Sequence, residues 1–201
     1  VSGSGKLVDG DPILLLLARL MKKEGRLDPP RVIGTSMTNY SLERVFANEG
    51  ILLTRVDVGD RHVFQEMLNT GSVLGGEPSG HIIFPDFHLS GDGLLTTLKV
   101  CEALVKENTS LDNLTAGWDP APQLLEDIPV EKKVPLEAMP SVHTRIDEIA
   151  RQLEGRGRIV VRYSGTEPVL RVMIESDSAS MNRSFAQELI AVFRTEISQL
   201  T

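Results

Sequence analysis

Residues 159–174 read Ile159-Val160-Val161-Arg162-Tyr163-Ser164-Gly165-Thr166-Glu167-Pro168-Val169-Leu170-Arg171-Val172-Met173-Ile174, two apolar runs joined by a short polar turn. Each run predicts a buried strand, because it is short, mostly apolar and bounded by turn residues. In the turn, Ser164 and Thr166 can donate hydroxyls, and Gly165 lets backbone amides approach an anion closely. The guanidinium groups of Arg162 and Arg171 suit bidentate contacts to a phosphate. The stretch therefore predicts a strand, a phosphate-binding loop and a second strand.

The alternative for this stretch is an ordinary hairpin turn whose arginines lie on a solvated strand face. A bare Ser-Gly-Thr turn would favour that alternative. Here Arg162 and Arg171 flank the turn inside strands that are otherwise apolar, and a charge taken out of water needs a partner. A bound phosphate supplies that partner, so the phosphate-binding interpretation is favoured.

A second candidate loop lies upstream, where residues 75–84 read Gly75-Gly76-Glu77-Pro78-Ser79-Gly80-His81-Ile82-Ile83-Phe84. Glu77, Ser79 and His81 project from this tight, glycine-rich segment. A carboxylate accepts hydrogen bonds from sugar hydroxyls, a serine hydroxyl donates or accepts them, and glycine permits the positive φ angles that close ligand approach often requires. A glycine-rich surface turn with a structural His81 explains the same residues equally well. Together, the two loops predict a phosphosugar ligand.

The first part of the chain alternates between helical and extended patterns, which is typical of an α/β domain. The expected helices lie near 12–24, 39–48, 60–69 and 91–106, and the expected strands at 31–35, 51–56, 73–74 and 81–84. Asp92 is expected to cap the last of these helices. Ligands of open α/β sheets bind beyond the carboxyl ends of the strands, where Asp60, Arg61 and Glu77 are expected to emerge.

Residues 108–123 break the regular pattern and mark a domain boundary, with a hinge near 118–122. We expect an α/β domain at 1–117 and a smaller α+β domain at 118–201, with an antiparallel sheet and flanking helices. The expected elements of the second domain are strands at 124–134, 157–163 and 169–176 and helices at 141–154 and 180–199. One face of the last helix is expected to be core, namely Phe185, Leu189, Val192, Phe193 and Ile197.

Composition limits the classes of function. The 201 residues carry a net charge of −7 with 4% aromatic residues, which argues against nucleic acid as a partner. The apolar run at 12–21 is too short to span a bilayer and is interrupted by Arg19, so no membrane partner is expected. The single cysteine, Cys101, is expected to be a buried helical thiol, which favours the reducing cytoplasm.

Three motifs make the chain resemble the α-D-phosphohexomutases: Gly76 to His81, Ser90-Gly91-Asp92-Gly93, and Arg162 to Arg171. Within the family it is most similar to the bacterial phosphoglucosamine mutases, over the last two of their four domains. The resemblance implies that sugar hydroxyls contact the third domain, through Glu77, Ser79, His81, Asp60 and Arg61. It implies that the loop of the fourth domain holds the substrate phosphate, through Arg162, Ser164, Gly165, Thr166 and Arg171.

Asp60 and Arg61 enter this set through the loop Val58-Gly59-Asp60-Arg61, which resembles a third-domain loop near the sugar. Another interpretation needs no ligand: Gly59-Asp60 simply begins a helix, with Asp60 as its N-cap. The two interpretations are compatible with each other.

The resemblance also implies chemistry that this chain does not carry. In the family, a phosphoserine of the first domain exchanges its phosphoryl group with the sugar, and an Asp-Gly-Asp-x-Asp-Arg loop of the second domain holds Mg²⁺. Neither segment occurs here. Asp9-Gly10-Asp11 resembles part of the metal loop but lacks its third carboxylate and arginine, and it predicts a helix start with Asp11 as N-cap. We expect no catalytic residue and no metal ligand in this chain.

The implied function is the substrate-binding half of an isomerase that interconverts glucosamine 6-phosphate and glucosamine 1-phosphate. The expected partners are a hexose phosphate and the N-terminal domains of the same protein, and a homodimer is left open. The abrupt start at Val1-Ser2-Gly3 favours a fragment of a longer enzyme, inactive alone. Two alternatives stay open: half of a phosphomannomutase or phosphoglucomutase, and a non-catalytic phosphosugar-binding protein.

Overall fold

The computed structural model describes residues 1–114 and 118–200. The chain divides into two compact units, Val1–Pro120 and Ala121–Thr201. The predicted domain limits, 1–117 and 118–201, stay a prediction, since residue 117 lies outside the described residues. Within the described residues, no helix is long and apolar enough to cross a membrane.

The described residues of the first unit form a four-stranded sheet and five helices. The strands are β1 (Arg31–Thr35), β2 (Leu52–Val56), β3 (Gly75–Gly76) and β4 (Ile82–Ile83). The helices are α1 (Gly10–Lys23), α2 (Tyr40–Asn48), α3 (Asp60–Thr70), α4 (Gly93–Glu107) and α5 (Leu111–Leu114). The strand order is β2-β1-β3-β4; β1 runs parallel to β2 and β3, and β4 runs antiparallel to β3. The predicted α/β architecture is confirmed.

Helices cover both faces of this sheet because successive strand residues point to opposite sides. Val32 and Ile82 belong to the core that includes apolar residues of α1 and α2. Their neighbours Ile33 and Ile83 pack instead with apolar residues of α3. Since both faces are occupied, the open positions for a site lie at the strand ends.

Strand β3 lies two residues beyond the predicted strand at 73–74. The Leu74 carbonyl accepts from the Ile33 amide at 3.1 Å, but Gly75 is the residue paired with Ile33. A Cβ at Gly75 would lie 2.8 Å from the sulfur of Met67 on α3. Close packing of α3 therefore requires glycine here, and a search for apolar residues does not detect a strand of two glycines.

The start of α1 differs from the prediction. Asp9 is the N-cap, with its Oδ1 accepting from the Asp11 amide at 3.1 Å, so the prediction of Asp11 as N-cap is wrong. Asp11 lies in the first turn, is 3% exposed, and accepts from the Asn39 amide at 2.8 Å through Oδ2. The Asp11 carboxylate thus ties α1 to the start of α2.

Two other helix starts were predicted from the same kind of signal. Asp92 caps α4, as predicted, with its Oδ1 accepting from the Leu95 amide at 2.9 Å. Gly59 is the residue before α3 and adopts a φ of 128°, and no side chain caps this helix. Asp60 is the first helical residue, so its assignment as N-cap is wrong.

Cys101 is exposed, and the prediction of a buried thiol is wrong. Helix α4 buries Thr96 and Ala103. Leu94 and Leu98, at helical spacing with Cys101, are among the most exposed apolar residues of the chain. Apolar spacing alone therefore selected the wrong face of α4, because this helix carries apolar residues on its solvent side as well.

The second unit is an antiparallel three-stranded sheet with two long helices. Its strands are β5 (Gln123–Pro129), β6 (Gly157–Tyr163) and β7 (Val169–Ser176), and its helices are α6 (Pro140–Leu153) and α7 (Ala179–Leu200). A short 3₁₀ turn occupies Leu136–Ala138. The order is β5-β7-β6, with β7 central and antiparallel to both neighbours. The predicted α+β architecture is confirmed.

One sheet face packs on α6 and α7, because Ile159, Val161 and Tyr163 of β6 alternate with residues that point the other way. On α7 the predicted core face is confirmed: Phe185, Leu189 and Phe193 are buried, and Val192 and Ile197 pack against them. Arg158, Val160 and Arg162 therefore occupy the face opposite the helices.

Strand β5 ends five residues before the predicted limit of 134. Its last residue, Pro129, pairs with Val169, which is the first residue of β7. Beyond that pair, the Val130 amide donates to the Pro168 carbonyl at 2.9 Å. Because β7 begins at Val169, residue 130 has no β7 residue to pair with, and the chain continues alongside the loop between β6 and β7.

Candidate functional site

The glycine-rich loop (residues 75–81) turns tightly at the carboxyl end of β3. The Glu77 amide donates to the His81 carbonyl at 3.1 Å, and the Gly80 amide donates to the Glu77 carbonyl at 3.0 Å. Gly80 adopts a φ of 93°, a conformation that glycine tolerates far better than other residues. The backbone thereby presents Glu77, Ser79 and His81 from a single turn.

Glu77 connects the ends of two strands. Its side chain is almost fully buried, and Oε1 accepts from the Gly59 amide at 2.9 Å. Gly59 follows β2 and Glu77 follows β3, and both strands run parallel to β1, so their carboxyl ends lie at the same edge of the sheet. The structure therefore brings the Gly59 loop and Glu77 together, at the edge where the sequence predicts them.

The second carboxylate oxygen of Glu77 is less constrained. Oε2 lies 3.8 Å from Nδ1 of His81, which is too far for a hydrogen bond. His81 Nδ1 lies instead 2.9 Å from Ser79 Oγ. Both Ser79 and His81 are exposed. The loop thus offers a carboxylate oxygen, a hydroxyl and an imidazole, which are the kinds of group that hydrogen-bond sugar hydroxyls.

Asp60 and Arg61 begin α3 beside Gly59. Asp60 is half-buried and Arg61 is exposed. Within residues 1–114 and 118–200, neither side chain makes a hydrogen bond or an ion pair. Their carboxylate and guanidinium are therefore not committed to other groups of the described structure.

The glycine-rich loop has two supports that the sequence interpretation did not assign to it. The Gly10 amide at the start of α1 donates to the Pro78 carbonyl at 2.9 Å, and a Cβ at Gly10 would lie 1.9 Å from the Glu77 carbonyl oxygen. A Cβ at Gly91 would lie 2.7 Å from Cβ of His81. The available signals were the glycines of Asp9-Gly10-Asp11 and Ser90-Gly91-Asp92-Gly93, but their spatial neighbours are not apparent from the sequence.

The Ser164 loop (residues 164–168) connects β6 to β7 in the second unit. The Ser164 amide donates to the Val169 carbonyl at 3.0 Å, and Ser164 Oγ accepts from the Glu167 amide at 3.2 Å. Ser164 is 3% exposed. Its carbonyl accepts from Lys133 Nζ at 2.6 Å. Three hydrogen bonds, one of them from a cation, therefore position this single residue.

The next two residues of the loop are unlike Ser164. Gly165 and Thr166 are exposed, and no group in the described parts of the chain accepts a hydrogen bond from their amides. A Cβ at Gly165 would meet no atom within 4 Å, and Gly165 is not among the residues with positive φ. Nothing in the described structure therefore requires glycine here, whereas close approach of a ligand to the backbone would require it.

Arg162 and Arg171 lie directly opposite each other on β6 and β7, on the sheet face away from the helices. Arg162 makes no hydrogen bond or ion pair with any described residue. Arg171 does: its guanidinium contacts Glu167, and its Nε lies 3.4 Å from Oδ1 of Asp127. The expectation that both arginines lack a protein partner is wrong for Arg171, because Asp127 of β5 pairs with it in register.

Two further properties bear on the site: the pKa of Tyr163 and the grouping of side chains that could bind a metal ion. Burial raises the pKa of the Tyr163 phenol above its ordinary value, and the nearby backbone of Val134 offsets part of the rise. Among the described residues, no three His, Cys, Asp or Glu side chains are grouped as a metal site.

Two family models match the chain. Residues 9–121 match "Phosphoglucomutase/phosphomannomutase, alpha/beta/alpha domain III", and residues 125–192 match "Phosphoglucomutase/phosphomannomutase, C-terminal domain". A phosphoglucosamine mutase of Solibacter usitatus is 41% identical over 199 residues, 99% of this chain and 45% of its own length. One of Koribacter versatilis is 45% identical over 183 residues, 90% of this chain and 40% of its own length. The chain thus spans less than half the length of these curated relatives.

Solved structures with the same fold are more distant in sequence. An Aspergillus fumigatus N-acetylphosphoglucosamine mutase superposes with a TM-score of 0.79 at 20% identity, over 95% of this chain and 44% of that one. A second structure of that enzyme, in complex with GlcNAc-6P and magnesium, gives a TM-score of 0.77 at 20% identity over the same shares. At this identity the likeness supports the fold.

Proposed function

The chain belongs to the phosphoglucomutase/phosphomannomutase family, and on that premise we propose that it is the substrate-binding C-terminal half of a phosphoglucosamine mutase. The whole enzyme would interconvert glucosamine 6-phosphate and glucosamine 1-phosphate. The names of the relatives that match almost the whole chain support this substrate over the glucose and mannose phosphates. They also favour an enzyme over a non-catalytic phosphosugar-binding protein.

One observation carries the assignment of the phosphate site: the Ser164 loop presents donors that nothing in the described structure uses. The amides of Gly165 and Thr166, the Thr166 hydroxyl and the Arg162 guanidinium lie on this loop or at its base. A sugar phosphate dianion accepts hydrogen bonds from such donors, and charge-assisted hydrogen bonds are stronger than neutral ones. Ser164 supports the loop and adds its hydroxyl.

Arg171 has a different part in this proposal. Its charge is already shared with Glu167 and Asp127, so it contributes a weaker attraction to phosphate than Arg162. Its pairing with Asp127 also offsets the repulsion between two arginines that face each other across neighbouring strands. The ion pairs of Arg171 therefore allow the Arg162 guanidinium to lie beside it without a partner among the described residues.

The glycine-rich loop is proposed to bind the sugar. Glu77 Oε1 accepts from the Gly59 amide, and Oε2 remains available to accept from a sugar hydroxyl. Ser79 and His81 supply further polar atoms, and Asp60 and Arg61 extend the set from the start of α3. Hydrogen bonds to several hydroxyls of one sugar ring would fix the orientation of that ring.

The transfer of the phosphoryl group is assigned to the part of the enzyme that precedes this segment in the relatives. In this proposal the phosphoserine and the Mg²⁺ ligands lie in that part, as the resemblance to the family implies. No step of the reaction is therefore assigned to magnesium on this chain, and we expect the chain alone to be inactive. A cytoplasmic location is proposed because hexose phosphates are metabolites of the cytoplasm and the single cysteine is free.

The phosphate assignment is tested by titrating the ¹⁵N-labelled chain with glucosamine 6-phosphate and following backbone amide signals, a method that detects millimolar binding. The Gly165 and Thr166 signals should move most. Arg162→Ala should weaken binding about ten- to hundredfold, the range for loss of a hydrogen bond to a charged group. Arg183→Ala is the matched control, because Arg183 lies on α7, which covers the other sheet face.

Equal affinities for the Arg162→Ala and Arg183→Ala variants would refute the phosphate site. The substrate is tested separately in the whole enzyme, by comparing kcat/KM for the phosphates of glucosamine, glucose and mannose. Faster turnover of glucosamine phosphate supports the proposal. Faster turnover of either other sugar phosphate would overturn the choice of substrate and leave the family unchanged.

A further inference from the structure

Lys133 is a residue to which neither the motifs nor the comparisons assign a role. It lies in the segment that continues from β5, and its Nζ donates to the Ser164 carbonyl at 2.6 Å. The same segment bonds to the far end of the loop, through the Val130 amide and the Pro168 carbonyl at 2.9 Å. Residues 130–133 thus hold the Ser164 loop at both ends.

The contact of Lys133 has a consequence for the neighbouring amide. The Ser164 carbonyl and the Gly165 N–H belong to one planar peptide unit, and the Ser164–Gly165 bond is not cis. In a trans peptide the carbonyl and the N–H point in opposite directions. When Lys133 holds the carbonyl on one side, the Gly165 N–H must point to the other side, where no described group accepts from it.

We propose that Lys133 is a positioning residue for the phosphate site: it fixes the Ser164–Gly165 peptide so that the Gly165 N–H faces the bound phosphate. This role rests on the proposed function of the Ser164 loop. The lysine acts through the peptide unit and lies on the far side of it from the phosphate. An exposed loop containing glycine has many backbone conformations to lose, so a fixed peptide lowers the entropy cost of binding.

Neighbouring contacts explain why a cation is needed at this point. The Ser164 amide donates to the Val169 carbonyl and the Ser164 hydroxyl accepts from the Glu167 amide, but neither bond involves the Ser164–Gly165 peptide unit. The only described partner of the Ser164 carbonyl is Lys133. A charged donor forms a stronger hydrogen bond to a carbonyl than a neutral donor does. Without it, the peptide unit would be free to rotate about its flanking bonds.

The experiment compares Lys133→Met with Lys132→Met in the ¹⁵N,¹³C-labelled chain. Lys132 is the adjacent exposed lysine, and no hydrogen bond or ion pair joins it to a described residue, so its variant removes the same charge without the contact. Lys133→Met should shift the Ser164 carbonyl carbon and the Gly165 nitrogen in the ligand-free chain, and Lys132→Met should not. Lys133→Arg, which keeps a charged donor, should restore most of both signals.

The second readout is the affinity for inorganic phosphate, measured by the same titration. Lys133→Met should weaken it about five- to tenfold, less than the loss of a direct hydrogen bond to a charged group, because the lysine acts on the phosphate only through the peptide unit. Lys132→Met should stay within about twofold of the unaltered chain, since screened surface charges contribute little. A gain in mobility of Gly165 in Lys133→Met alone would further support the role.

Two failures are distinguishable. If Lys133→Met and Lys132→Met give the same affinity, or leave the Ser164 and Gly165 signals in place, the positioning role is overturned while phosphate binding stands. If the unaltered chain binds neither phosphate nor glucosamine 6-phosphate, the function proposed for the loop is overturned, and the affinity claim for Lys133 falls with it.

Discussion

The glycine-rich loop and the Ser164 loop both depend on glycine, but the glycines at the two loops have different surroundings. Around the first loop, Gly10, Gly76 and Gly91 lie so close to neighbouring atoms that a Cβ would overlap with them. At Gly165 a Cβ would meet nothing. Packing therefore constrains the glycines around the first loop, whereas open space surrounds Gly165. Sequence motifs alone do not distinguish a glycine that packing requires from one with open space around it.

Gly10→Ala is expected to have the largest effect on stability. The new methyl group would lie 1.9 Å from the Glu77 carbonyl oxygen, which is backbone and cannot move aside cheaply. We expect a loss of about 3 kcal/mol in the free energy of unfolding of the first unit, at the upper end for overpacking. Urea unfolding followed by fluorescence of Trp118, the single tryptophan, which is partly buried against the core of that unit, provides the measurement.

Gly93→Ala is the control for this change. Gly93 begins α4 and has no positive φ, and a Cβ added there would meet no atom within 4 Å. Its variant should match the unaltered chain or be slightly more stable, because alanine is the better helix former. Equal stability of the Gly10 and Gly93 variants would mean that the loop yields to the extra methyl group.

Glu77→Ala tests whether the glycine-rich loop also recognises ligand. The substitution leaves the Gly59 amide without its acceptor, which should cost about 1–3 kcal/mol of stability in the Trp118 assay. It should also reduce the discrimination among sugar phosphates by the whole enzyme, because the carboxylate accepts hydrogen bonds from sugar hydroxyls. Binding of inorganic phosphate should be largely unchanged, because a carboxylate repels phosphate. Equal weakening of both ligands would contradict the proposed division between the loops.

Gly165→Ala tests the opposite case, a glycine with open space around it. With open space around the methyl position, the free energy of unfolding should change by less than about 0.5 kcal/mol, as for most surface changes. The affinity for phosphate should nevertheless fall several-fold, since the methyl group would stand where the anion approaches the amide. Unchanged affinity would indicate that the Gly165 amide is not part of the site.

The smallest expected effect concerns a charge cluster away from both loops. Hydrogen bonds from Lys106 and Lys99 lower the pKa of Glu102 on α4 to about 2, from an ordinary value of 4.5. Because the folded pKa is depressed, the stabilisation is present above pH 4.5 and is lost as the pH falls toward 2. The effect should be modest, since these side chains are partly exposed and screened.

Glu102→Gln should flatten that part of the pH dependence of unfolding in the first unit. Phosphate binding by the Ser164 loop should not respond to this substitution at neutral pH. A pH profile identical to that of the unaltered chain would show that the cluster contributes no measurable stability.

Several features of the fold were predictable because local pattern and final packing agree. The limits of β6 and β7, at 157–163 and 169–176, follow from apolar runs bounded by turn residues. The Asp92 cap and the core face of α7 also follow from local signals, since a cap acts within one turn and a helical face repeats with the helix period. For these elements the sequence neighbours are also the structural neighbours.

Three of the failed predictions share a different cause. Cys101 lies on an exposed face of α4 that is itself apolar, and β3 is a pair of glycines held beneath α3. Besides the nearby Glu167, Arg171 has a second acidic partner because β5, about forty residues away in the chain, places Asp127 beside it. Each of these outcomes depends on a neighbour that is distant in sequence, and short-range pattern does not contain that information.

Local sequence patterns predict the two architectures and the two polar loops, and the motifs carry the resemblance from which the chemistry of the loops is proposed. These features depend on local propensity, on apolar period and on motifs that are contiguous in the chain. Only the tertiary structure decided that Glu77 bonds the Gly59 loop, that Gly10 supports Glu77, that Arg162 rather than Arg171 lacks a partner among the described residues, and that Lys133 holds Ser164. The physical reason is that hydrogen bonds, steric contacts and ion pairs depend on distance in space, which chain folding sets.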